Sequence, residues 1–122
     1  MQVMINRKNG SAVLHTTTTT AGFILVGNNS VSNVATGNEN IISASIGQIW
    51  ASSSNAGYWE VKRGANVVAI IAGTSHLQFS ERGCSLIKDN TGDLSLTLNG
   101  GGVGFIMVEI QKVANTSDYV QQ

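Results

Sequence analysis

The sequence predicts an all-β fold: a single-domain antiparallel β-sandwich or jelly roll of about eight to nine strands. Two observations carry that expectation. Short β-branched and apolar segments recur along the 122 residues, separated by turn signals at about the 8–12-residue spacing of sandwiches and barrels. Helix formers are sparse, and Gly, Ser, Thr and Asn interrupt almost every window that could hold three helical turns.

The segments follow in chain order. Gln2–Asn6 places Val3, Met4 and Ile5 in succession before the turn-prone Asn9-Gly10. It reads equally as a first strand or as an extended N-terminal arm. Residues 12–17 form a second strand, running into threonines 16–20, whose β-branching favours extended backbone and hence an exposed strand or arm. Residues 22–27 (Gly-Phe-Ile-Leu-Val-Gly) are a short buried run bounded by glycines, and the polar stretch 28–40 is a loop with a short edge strand around 31–34. Apolar residues then recur at roughly alternate positions from Ile41 to Trp50, with Gly47 as a bulge.

After the loop at 52–57, Tyr58–Arg63 alternates, with Trp59 and Val61 on one face and Tyr58, Glu60 and Lys62 on the other. A turn at 64–66 leads into 67–72, an uninterrupted apolar run of the kind expected in a central strand. In 75–80, Leu77 and Phe79 face inward and His76 and Gln78 outward. Glu81-Arg82-Gly83 turns the chain into a strand at 84–88, and Asp89-Asn90-Thr91-Gly92 is a hairpin signal. Leu94, Leu96 and Leu98 alternate with Ser95 and Thr97. Asn99-Gly100-Gly101-Gly102 forms a wide hairpin turn before the last strand, 103–112. That strand sets Ile106, Val108 and Ile110 against Val103, Phe105, Met107 and Glu109. No boundary or repeat divides 10–113; residues 1–9 are the arm or first strand, and the polar tail 114–122 is expected to fray.

Composition narrows the function classes. Seven basic residues balance seven acidic ones, which argues against a nucleic-acid partner recognised through phosphate neutralisation. No apolar run approaches the ~18 residues of a membrane span. The charges of Arg7 and Lys8 follow the first apolar stretch, the reverse of a signal peptide, so cytoplasmic synthesis is expected. Gly, Ser, Asn and Thr make up 49 of the 122 residues against 11% charged residues, so neutral hydrogen-bonding groups replace the usual surface charges.

Chemistry-bearing constellations are few. Cys84 with His15 or His76 is the sole cysteine set, and Cys84 in a strand pattern reads as a small core residue. Asp89 and Asp93 are explained as turn formers. Glu109 shares a face with Phe105 and Met107, where pairing with Lys62 or Arg63 is expected. Gly100, Gly102 and Gly104 open a β-branched strand, whereas a phosphate loop opens a helix. The expectation is therefore no enzyme, no catalytic or metal-binding residue and no cofactor. Trp50, Tyr58 and Trp59 bracket the 52–57 loop, where aromatics serve as a sugar platform or an interface anchor. The tryptophans fit better as core residues. For Tyr58 with Lys62, contact with a partner and plain exposure weigh equally.

Residues Gly57-Tyr58-Trp59-Glu60-Val61-Lys62-Arg63-Gly64-Ala65-Asn66-Val67-Val68, with 93–98 and the closing Gly104-Phe105-Ile106-Met107-Val108-Glu109-Ile110-Gln111-Lys112, resemble small β-rich virion proteins of tailed bacteriophages, closest to capsid cement (decoration) proteins. The resemblance covers about residues 40–113. It implies a module on the outer capsid surface that self-associates as a trimer or dimer and clamps major capsid protein subunits against internal DNA pressure, without catalytic residues. Contact through an extended terminus or a sheet edge fits such a role. Val3, Met4, Ile5, Tyr58, Lys62 and Arg63 are the interface candidates. The alternative is a carbohydrate- or receptor-binding module of a head or tail fibre.

Overall fold

The computed structural model describes residues 2–6, 10–17, 20–54, 56–78 and 91–116. Among them are ten strands and no helix: β1 (Gln2–Asn6), β2 (Ser11–Thr16), β3 (Thr20–Phe23), β4 (Gly27–Asn28), β5 (Glu39–Ser53), β6 (Tyr58–Arg63), β7 (Asn66–Ala72), β8 (Ser75–Gln78), β9 (Leu94–Asn99) and β10 (Gly104–Thr116). They form two antiparallel sheets. One runs β1-β2-β10-β5-β4 with β8 also beside β5, and the other runs β3-β9-β6-β7.

Period-2 patterning explains how the sheets share one core. Ala12 and Leu14 of β2 and Ile106, Val108 and Ile110 of β10 are buried from the first sheet. Leu94, Leu96 and Leu98 of β9, with Trp59 and Val61 of β6, are buried from the second. All belong to a single apolar cluster. Two polar contacts join the sheets through it: the Trp59 indole Nε1 donates to the Ser52 carbonyl at 3.0 Å, and Arg63 Nη1 donates to the Ala44 carbonyl at 2.7 Å.

β5 shows how register follows burial. A strict alternation cannot bury Ile41, Ile46 and Ile49 together, because 46 differs in parity from the other two. Two register shifts against β10 solve this. Ile110 pairs with Ile46 and Glu109 with Gln48, leaving Gly47 as the extra residue. Val113 pairs with Ser43 and Ala114 with Ile41, leaving Ile42 bulged and exposed. The bulge expected at Gly47 is present; the one at Ile42 has no glycine to announce it.

Several expectations need correction. The run 67–72 lies in an edge strand, β7, not a central one. Residues 22–27 do not make one strand: the chain leaves the second sheet at Phe23 and joins the first at Gly27. Residues 31–34 form a turn, in which the amides of Val31 and Ser32 donate to the Asn28 carbonyl. The glycines after Asn99 do not close a hairpin, because β9 and β10 belong to different sheets. The cluster is needed for close approach: a Cβ on Gly104 would collide with the Ser52 carbonyl, and one on Gly102 with that of Ser54. β10 continues to Thr116, paired with Glu39, so the tail is ordered further than expected. Phe79, the turn at 81–83, the strand at 84–88, Asp89, Asn90 and residues 117–122 lie outside the described residues.

Candidate functional site

The six interface candidates fall in three places. Val3 and Met4 lie on β1, at the margin of the six-stranded sheet, where Met4 is 50% exposed and Val3 packs against the core. Ile5 is in the same strand, opposite Val13. Tyr58 and Lys62 stand on the outer face of β6 in the other sheet, four residues and hence about 13 Å apart along the strand. Arg63 is not a surface residue. It is 1% exposed and spends its guanidinium on the carbonyls of Ala44 and Gly92, because the alternation that buries Trp59 and Val61 also turns Arg63 inward.

Tyr58 belongs to the most apolar margin of the second sheet. It pairs with Ala72 of β7, and Glu60 with Ile70. Ile70 is 63% exposed, Val67 43% and Tyr58 37%. Ala56, Gly57, Tyr58, Ile70, Ala72 and Gly73 line a shallow groove of about 470 Å³ at one end of β7. The outer positions of β3 and β9, namely Thr20, Gly22, Ser95, Thr97 and Asn99, are small or polar and uncharged, while β6 adds Glu60 and Lys62 to the same face. No described strand pairs with the outer edge of β7, β3 or β1.

The outer face of the six-stranded sheet carries a second cluster. Trp50 stacks on His76 with ring centroids 4.8 Å apart and an interplanar angle of 18°. His76 Nε2 lies 2.9 Å from Gln48 Oε1, and Gln48 Nε2 donates to Glu109 Oε1 at 2.8 Å. Glu109 thus takes Gln48 rather than Lys62 or Arg63. The reason is topological: Glu109 faces away from the core on one sheet, and Arg63 faces into it from the other. His15 lies in the same row of cross-strand partners, with Met107 between it and Trp50, and its ring is tilted against Phe105 at 6.3 Å. Of the bracketing aromatics, Trp59 is core, Trp50 is half-buried on this outer face, and Tyr58 is exposed on the other sheet.

A third feature is an ion pair sealed inside the fold. Lys112 Nζ lies 2.8 Å from Glu39 Oε1 with both side chains at 0% exposure. The ammonium also donates to Asn6 Oδ1 at 2.7 Å and the Val34 carbonyl at 3.1 Å. Glu39 Oε1 accepts from the backbone amide and hydroxyl of Thr36, both at 2.9 Å. The network ties β1, the 29–38 loop, β5 and β10 together. A sequence signal existed, since the parity that buries Ile106, Val108 and Ile110 places Lys112 on the same face.

Among the described residues, no three His, Cys, Asp or Glu side chains form a metal-binding group, and no helix is long and apolar enough to cross a membrane. Cys84 lies outside the described residues. No family model, curated protein or solved structure matches the chain.

Proposed function

We propose that this chain is a structural virion protein of a tailed phage, a cement protein that sits on the outer capsid surface and bridges major capsid subunits. In this reading the two sheets form a β-sandwich of jelly-roll type whose margins and termini make the contacts. One observation carries it. Among the described residues, the strands at the sheet margins, β1, β3, β4, β7 and β8, contain no Lys, Arg, Asp or Glu, and the chain has no proline. Edge strands of proteins that must stay apart are commonly blunted by charge, proline or a cover. Uncharged margins suit a module whose edges meet neighbours by main-chain pairing. Neutral Ser, Thr and Asn surfaces add contacts without long-range repulsion at a crowded shell.

Capsids purified with and without the protein test this directly. Those lacking it are expected to release DNA at a lower temperature, and adding the purified chain back restores the higher one. Cryo-electron microscopy of the particle with no density for this chain on the shell would refute the reading.

A second reading, glycan or receptor binding, is favoured by the Trp50–His76 stack with its Gln48 and Glu109 hydrogen bonds. Aromatic rings beside planar amide and carboxylate groups match the alternating C–H and hydroxyl faces of a neutral sugar. A glycan array on which wild type binds and Trp50→Ala does not would support it; silence across the array would remove it.

A further inference from the structure

We infer that β7 is a self-association edge, at which two copies of this chain pair antiparallel over residues 67–73, Val67 of each opposite Gly73 of the other, about a twofold axis at Ile70. The inference rests on the reading of uncharged margins as association surfaces, not on the capsid as the place of action. The occupant follows from the strand's own asymmetry. One end carries an exposed apolar knob, Val67, and the other end borders the groove lined by Tyr58, Ala72 and Gly73. Antiparallel self-pairing inverts the strand, so each copy's knob comes to the other copy's groove. The most exposed apolar side chain of the strand, Ile70, then meets its own copy on the axis.

Two further features favour a second copy over an unlike partner. β7 carries no charge, so pairing it with itself brings no like charges together. The register shift between Val61 and Lys62 sets Val67 on the outer face with Ile70 and Ala72, despite its differing parity from them. All three knob and groove residues are therefore presented on one side of the joined sheet. The product is a continuous eight-stranded sheet with the order β3-β9-β6-β7 on each side of the axis.

The test uses the full chain and two readouts. Light scattering after size-exclusion chromatography is expected to give a dimer for wild type and a monomer for Ile70→Lys. Val103→Lys, an exposed change in the loop between β9 and β10, leaves the dimer intact and controls for added charge. Ile70→Cys in a Cys84→Ser background is expected to form a covalent dimer on mild oxidation, because residues on a twofold of an antiparallel pair are within disulfide reach. Val103→Cys in that background is not. A wild type that is monomeric throughout, a dimer that survives Ile70→Lys, or equal cross-linking at 70 and 103 overturns the inference. A dimer lost in Ile70→Lys that never binds capsids leaves the β7 inference standing and removes the cement reading.

Discussion

Replacing Lys112 by Met removes an ammonium that is fully buried and bonded to three acceptors at 2.7, 2.8 and 3.1 Å. Methionine fills similar space, so the loss is electrostatic rather than volumetric. The Glu39 carboxylate remains buried without its cation, and Asn6 Oδ1 and the Val34 carbonyl each lose a charged donor. Val34 keeps the Asn6 Nδ2 donor at 2.9 Å. Breaking one side of a buried pair costs about 3–5 kcal/mol. Against the ~5–15 kcal/mol that holds a typical domain folded, that is a large fraction. It corresponds to roughly 10–20 °C in Tm for a domain of this length. Urea unfolding followed by tryptophan emission measures it, since Trp59 lies at the centre of the core. Lys112→Met/Glu39→Gln removes both charges while keeping an acceptor for the Thr36 amide and hydroxyl. This double variant is expected to recover most of the loss, because replacing a whole buried pair is near neutral. A single variant within about 1 kcal/mol of wild type, or a double variant as unstable as the sum of both singles, refutes the reasoning.

Three other outcomes follow from the same contacts. Trp59→Ala empties the largest buried side chain and is expected to cost about 3–5 kcal/mol in chemical denaturation. Trp59→Phe, which mainly loses the indole bond to Ser52, is expected to cost about half as much or less. Gly104→Ala sets a methyl group against the Ser52 carbonyl and is expected to melt well below wild type by circular dichroism, whereas Gly22→Ala, with open space at its Cβ, melts within a few degrees of it. Arg63→Lys keeps the charge but has no planar fork to reach the Ala44 and Gly92 carbonyls together, so it is expected to destabilise nearly as much as Arg63→Met. Rescue of stability by lysine would show that charge alone matters there.

Strand identity was legible wherever one face of a strand is buried. Tyr58–Arg63 and 94–98 alternate cleanly because a pleated strand with one face in the core must repeat every two residues. The same rule pointed to Lys112 and Arg63 as inward residues, but a charge is ordinarily assigned to the surface, and only their tertiary partners explain their burial: the Glu39 carboxylate, Asn6 Oδ1 and the Val34 carbonyl for Lys112, and the Ala44 and Gly92 carbonyls for Arg63. The candidate surface was less legible. The run 67–72 has the composition of a central strand, and nothing local distinguishes it from one. Its margin position depends on which strands pair with β6, namely β9 on one side and β7 on the other.

By itself, the sequence determined the all-β class, the faces of its alternating strands, the Gly47 bulge and a composition low in charge. These depend on residues close in the chain, through pleat geometry, side-chain branching and turn chemistry. Only the tertiary structure decided which strands became margins, that Trp50 meets His76, and that Glu39 meets Lys112 across 73 positions. Those outcomes come from pairing between distant segments, and the free energy of such pairing is set by the partner as much as by the strand itself.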